Sequence, residues 1–173
     1  MVVVMKKVSE DYVVNAKIAR KLWAGAVVLD LTLGGAMEMF DPVYPLGKIK
    51  VPGEKWMVSH SIMGIWEGFK LFGKKNEIDL SYLTDLKKVG KVRGCKSYGN
   101  LIGIKLGGEI IEGSENMKEN FRKLYKDVIY NRFKGIIEKV RKINENKIIV
   151  LLDYTEGKYP LSHVELVKEL IEN

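Results

Sequence analysis

The chain has 173 residues, is 46% hydrophobic and carries a formal net charge of +7. That length suits one domain with a core that needs no covalent staple. The lone Cys95 excludes an internal disulfide, no apolar run approaches the ~20 residues of a membrane span, and no secretory leader is recognisable, which together point to a cytoplasmic protein.

In chain order, Asn15 to Trp23 reads as a short helix, with Asn15 at its cap and Ile18 and Leu22 on one face. Ala26 to Leu31 is a continuous apolar run closed by Gly34 and Gly35, the pattern of a buried strand. Phe40 to Lys55 contains three prolines and two glycines and reads as a long shaped loop. Ser59 or Ser61 caps a helix running to about Phe72, with Ile62, Ile65, Trp66, Phe69 and Phe72 spaced three and four apart. Asp79 caps a short helix carrying Leu80, Leu83 and Leu86, ended by Gly90.

Gly90 to Gly113 is glycine-rich, with short strands expected around Leu101–Ile104 and Ile110–Ile111. Ser114 opens the strongest helical stripe, from Met117 to Val140, with Gly135 as the expected bend. Lys147 to Asp153 reads as a central strand. Ser162 and Glu165 form a capping box for a last helix that turns Leu166, Val167, Leu170 and Ile171 inward. Helices around a few strands, without a regular βαβ repeat, predict an α+β fold: one mostly helical domain, residues 1–173, around a small sheet.

The basic balance favours phosphate-bearing partners, whether nucleotides or nucleic acid, and a lysine-rich solvated surface explains it equally well. The chain has no glutamine and is crowded with Lys, Glu and Ile, a composition similar to that of proteins from hot-living organisms. His60 and His163 are the only histidines and lie far apart, so a structural zinc site is not expected. No glycine loop of the nucleotide-binding families is present.

Chemistry-bearing residues cluster in the segment 56–72. Periodicity alone puts Trp66 in the core and turns Glu67 and Lys70 to solvent. The same residues could supply a stacking face, a carboxylate and an anion-binding ammonium. Asp153 ends its apolar run where ligands often bind in α/β proteins, and it could equally cap the following turn. His163 either steadies the last helix or faces the Asp153 strand end. Lys87, Lys88, Lys91, Arg93 and Lys96, interleaved with glycines, form a basic patch that could grip phosphate or simply be solvated.

Trp56-Met57-Val58-Ser59 followed by Trp66, Glu67, Lys70 and Phe72 resembles the core helix of the NADAR superfamily, the YbiA-like domains. Lys70 matches the family lysine, and Glu67 falls at its glutamine. Tyr44-Pro45-Leu46 with Ile49 and Val51 is similar to the family's entry loop, Met117–Phe133 to its long helix, and Ile148–Glu156 to its late strand and acidic turn. Pro160-Leu161-Ser162-His163 stands at its last helix start. The likeness covers residues 40–173. The sequence departs from the family at Met63, where the helix glutamate would fall, and around Arg93 to Asn100, where a tryptophan motif has no counterpart.

The resemblance implies an N-glycosidase that cuts the bond between ribose and a nitrogenous group in a phosphorylated ribosyl or ADP-ribosyl small molecule, without metal or cofactor. It implies Glu67 as the acid/base or stabilising carboxylate, one helical turn from Met63, and Asp153 as a second. Trp66 would stack the ligand, Lys70 and Arg93 would hold phosphate, and Tyr44 and His163 would contribute further substrate contacts. Two other readings stay open: a non-catalytic nucleotide- or nucleic-acid-binding domain using the Lys87–Lys96 patch, and an interaction protein using the long loop or the Met117–Val140 helix.

Overall fold

Four fully buried aliphatic residues, Ile149, Val150, Leu151 and Leu152, set the architecture. A strand buried on both faces needs a partner on each edge and helices above and below. The computed structural model describes residues 1–91, 93–153 and 160–173. In chain order its elements are β1 (Val2–Lys6), α1 (Tyr12–Leu22), β2 (Val27–Asp30), β3 (Ile49–Lys50), β4 (Val58–Ser59), α2 (Ile62–Gly68), β5 (Lys70–Phe72), α3 (Leu86–Val89), α4 (Cys95–Tyr98), β6 (Leu101–Leu106), β7 (Glu109–Glu112), α5 (Ser114–Asn144), β8 (Ile149–Asp153) and α6 (His163–Glu172). Single 3-10 turns cover Glu38–Phe40 and Leu80–Leu83. The mixture of helices and small sheets is compatible with the α+β class.

The chain divides into two compact units, Met1–Asp41 with Tyr125–Asn173, and Pro42–Leu124. The first is built on a three-stranded sheet in the order β1-β8-β2, with β8 parallel to both neighbours. Val28, Val150 and Leu152 pack on Ala16 and Ala19 of α1. Side chains alternate along a strand, and Leu29 and Leu31 accordingly face Ile136, Ile137 and Val140 of α5 and Val167 and Ile171 of α6.

The N-terminal residues, which carry no strand signal beyond a brief valine run, form the edge strand β1. Asp11, not Asn15, caps α1, accepting from the Val13 amide at 2.7 Å. Asn15 lies inside the helix and ties down the preceding loop, donating to Ser9 O and Asp11 O and accepting from Val8 N. The buried face of α1 is therefore Asn15, Ala16 and Ala19, and Leu22 is exposed.

The second unit holds the β3–β4 pair and an antiparallel sheet in the order β5-β6-β7. Gly107 and Gly108 both adopt positive φ, at 59° and 83°. This is the two-residue hairpin turn that lets β6 run back as β7. Ser61 caps α2 as expected, accepting from Gly64 N at 3.0 Å. The helix ends at Gly68, however, and Lys70–Phe72 pairs with β6 instead of continuing it. The expected Asp79 helix is likewise two pieces, because Asp85 caps a fresh turn at α3.

Helix α5 keeps its apolar stripe, including Phe121, Leu124, Tyr125, Ile129, Ile137 and Val140. Its break falls at Phe133, with φ −126° and ψ 21°, two residues ahead of Gly135. Ser162 caps α6, accepting from Glu165 N at 3.2 Å. No helix among the described residues is long and apolar enough to cross a membrane.

Candidate functional site

In the second unit, every residue of α2 is buried. Gly64 lets the helix approach Ser59 and the Tyr82 carbonyl more closely than any Cβ would permit. Glu67, on the last turn, is only 1% exposed. Its Oε1 accepts a hydrogen bond from Lys70 Nζ, and its Oε2 accepts from the Arg93 amide at 3.1 Å. The change from helix to strand at Phe69 is what turns Lys70 back onto Glu67.

Arg93 is also buried. Its guanidinium donates to the carbonyls of Glu67 at 3.0 Å, Lys70 at 3.2 Å and Glu77 at 3.3 Å. It sits 4.9 Å from the Phe72 ring centroid and 4.8 Å from that of Tyr98, within cation–π range. Its Nε is buried and has no hydrogen-bond partner among the described residues. The cluster thus buries two cations beside Glu67, and Asp79 acts on Arg93 as a second carboxylate. Such groups are retained in an interior only when closely paired.

The remaining expected site residues divide differently. Trp66 is 3% exposed and meets Phe121 edge-on, with ring centroids 5.0 Å apart, so its faces belong to the core. Met63, where the NADAR resemblance would put a glutamate, is buried on the same helix, and its amide donates to Pro42 O at 2.9 Å. Tyr44 is half-buried on its loop, where its carbonyl accepts from Leu46 N at 2.9 Å. The basic patch is broken up: Arg93 turns inward and Lys88 donates to Ser81 Oγ at 2.6 Å, leaving Lys87, Lys91 and Lys96 exposed.

Asp153 and His163 belong to the first unit. Asp153 Oδ2 accepts from Ser162 Oγ at 2.8 Å, which clamps the end of β8 to the cap of α6. The adjacent His163 is buried, with Nε2 3.2 Å from the Leu31 carbonyl. Burial, the largest influence, holds its imidazole below the ordinary range, while Asp41, the Leu31 carbonyl and Asp153 pull the other way. Tyr125, fully buried and 6.5 Å from the His163 ring, donates to Phe40 O at 2.6 Å. Its phenol is pushed well above the ordinary value by burial and then by Asp41. Of the expected site residues, the structure therefore joins Glu67, Lys70 and Arg93 in one cluster and Asp153 and His163 in another. The acidic turn expected after Asp153, at Tyr154 to Glu156, lies outside the described residues.

A further set went unread in the sequence. At the ends of β1 and β2, Asp30 is buried, accepting from Thr32 N at 3.1 Å and Thr32 Oγ1 at 2.7 Å, and pairing with Lys7 Nζ at 3.2 Å. A carboxylate set inside the apolar run Ala26 to Leu31 was the available signal.

A family model matches residues 12–167, most of the chain. The chain belongs to the family of unknown function DUF6939. The matched span takes in both the Glu67–Lys70–Arg93 cluster and the Asp30–Lys7 strand end except Lys7 itself. No curated protein and no solved structure matches the chain. Among the described residues, no group of three or more His, Cys, Asp or Glu side chains could hold a metal ion.

Proposed function

We propose that the chain is a NADAR-like N-glycosidase, hydrolysing the bond between ribose C1′ and a nitrogenous group in a phosphorylated ribosyl or ADP-ribosyl adduct. The observation that carries this reading is the buried cluster in which Glu67 is held by Lys70 and by the Arg93 backbone. The resemblance of the segment 56–72 to that superfamily supplies the reaction.

In such a reaction the C1′–N bond breaks with its electron pair leaving on nitrogen. Positive charge develops on the ring oxygen and C1′, water adds to C1′, and a proton passes to the departing group. A preorganised carboxylate in a dry site stabilises that developing cation, and Glu67 takes this role. Lys70 carries three donor hydrogens and Glu67 takes one; the ammonium is the phosphate contact of this reading. Arg93 positions Glu67 through its amide and guanidinium. Trp66 keeps the helix seated and is not the stacking platform. The stabilising carboxylate and the phosphate contact of this reading are therefore both residues of the second unit.

The test is direct turnover. The full chain is incubated separately with an ADP-ribosyl guanine adduct and a phosphorylated riboflavin precursor, and the freed base and sugar are quantified by chromatography. The reading predicts stoichiometric release from one of them, lost in Glu67→Gln. Full turnover in Glu67→Gln, or no release from either substrate, contradicts it.

A further inference from the structure

The carboxyl ends of parallel strands are where α/β sheets most often leave a ligand crevice. In the first unit, a cleft of about 320 Å³ opens at the ends of β1 and β2. Its volume falls at the small end of the range for small-molecule sites. Its lining includes Lys7, Asp30, Glu10, Tyr12, Gly34 and Ala36.

The polar groups are fixed before any ligand arrives. Asp30 is locked by two bonds from Thr32, and Lys7 Nζ lies 3.2 Å from Asp30 and 3.3 Å from Thr32 Oγ1. The Tyr12 hydroxyl donates to Val28 O at 3.0 Å, which sets the ring as a wall. Gly35 sits directly on Asp30: a Cβ there would lie 2.5 Å from the Asp30 carboxyl carbon. Glu10, at 98% exposure, stands at the mouth with its carboxylate 3.8 Å from Lys7 Nζ.

The chemistry of this lining selects among ligands. One ammonium faces two carboxylates, so the cleft opposes phosphate and other anions. Leu33 and Ala36 add apolar surface beside these charged groups, which suits a ligand that has a carbon face as well as hydroxyls. Adjacent carboxylate and ammonium groups match two neighbouring hydroxyls, one donating to Glu10 and one accepting from Lys7. An aromatic wall complements the C–H face of a sugar ring.

We infer that this cleft binds the vicinal diol of a neutral pentosyl group. The inference rests on the first unit alone and is independent of the hydrolase reading. It adds a sugar site that the Glu67 cluster neither contains nor requires.

The experiment is a ligand-observed NMR titration of the full chain with methyl β-D-ribofuranoside, its 2,3-dideoxy analogue, inorganic phosphate and spermidine. The diol is expected to bind with a dissociation constant roughly ten-fold below that of the dideoxy analogue, the effect of two unmade hydrogen bonds. Ala36→Trp, at an exposed position, fills the cleft without touching the buried pair and is expected to abolish binding. Glu10→Gln is expected to weaken it several-fold with an unchanged melting temperature. Glu67→Gln, titrated at a temperature where its near-ultraviolet circular dichroism coincides with that of wild type, is expected to leave it unaffected, which separates this result from the turnover experiment. Equal binding of the dideoxy analogue, preference for phosphate or spermidine, no binding of the diol, or full binding to Ala36→Trp would each overturn the proposal.

Discussion

Glu67 and Lys70 are three residues apart in sequence, one ending a helix and the other opening a strand, and their side chains pair in the interior of the second unit. Spacing of three on a continuous helix would have placed them side by side on a surface. The helix–strand change instead brings the ammonium inward, onto a carboxylate that is already buried.

The pair is expected to behave as a coupled unit. Glu67→Gln leaves Lys70 and Arg93 without a buried counter-charge, and Lys70→Met strands the carboxylate. Each is expected to lower stability by about 3–5 kcal/mol, the usual effect of breaking one side of a buried ion pair. The double variant is expected to lose less than the sum, because residues in contact are not additive. Urea unfolding of the four proteins measures this, and strict additivity would rule out direct coupling.

His163 gives the fold a pH dependence. Its ordinary value is 6.5 and burial lowers it in the folded chain. As pH falls, the unfolded state takes up the proton first, so stability is full above about 6.5 and declines until pH passes below the folded value. Asp41 and Asp153 oppose the shift and limit the loss. Urea midpoints between pH 8 and pH 5 are expected to fall, and His163→Gln is expected to flatten that part of the curve.

The central strand predicts the largest loss from a simple truncation. Leu151 is wholly buried between β1 and β2. Leu151→Ala is expected to destabilise by about 2–5 kcal/mol through lost burial and an unfilled cavity. Val3→Ala, on the edge strand and only half-buried, is expected to cost less. Denaturant midpoints at constant slope compare the two.

Gly53 predicts a local effect. It has φ +77°, and a Cβ there would lie 2.1 Å from the Gly107 Cα. Both the backbone conformation and the contact exclude a side chain. Gly53→Ala is expected to lower stability by about 1–3 kcal/mol and to raise amide exchange in the β6–β7 hairpin, whereas Gly135→Ala, with open space around it, is expected to stabilise α5 slightly.

The legible parts of the fold were those whose cause is local. Ser61, Asp79 and Ser162 announce their helix starts because a cap acts on an amide two or three residues away. The apolar runs at β2 and β8 announce buried strands by composition. What the sequence hides depends on distant partners. Val2–Lys6 becomes a strand only because Ile149–Asp153 pairs with it. Phe72 fits a helical spacing from Phe69 and also fits a strand, and its pairing with Leu101 decides.

The same contrast holds at the site. Glu67 and Lys70 were identifiable as neighbours, but the inward turn of Arg93 was not, since it is held by backbone carbonyls and ring faces that leave no residue pattern. Asp153 and His163 carried a correct local signal, strand end and helix start, yet belong with Ser162, Leu31 and Asp41 in the first unit. Lys7 and Asp30 were missed because a lysine and an aspartate 23 residues apart become a pair only through the parallel register of β1 and β2 around β8.

The most direct test of the central claim compares wild type and Glu67→Gln for release of the nitrogenous base from an ADP-ribosyl guanine adduct and a phosphorylated riboflavin precursor. It is run at a temperature where the near-ultraviolet circular dichroism of the two proteins coincides. Loss of a preorganised electrostatic contact typically lowers turnover by roughly 10²–10³-fold, and a fall of that order is predicted on whichever substrate is cleaved. Turnover in Glu67→Gln equal to wild type, or no product from the wild-type chain on either substrate, would contradict the account.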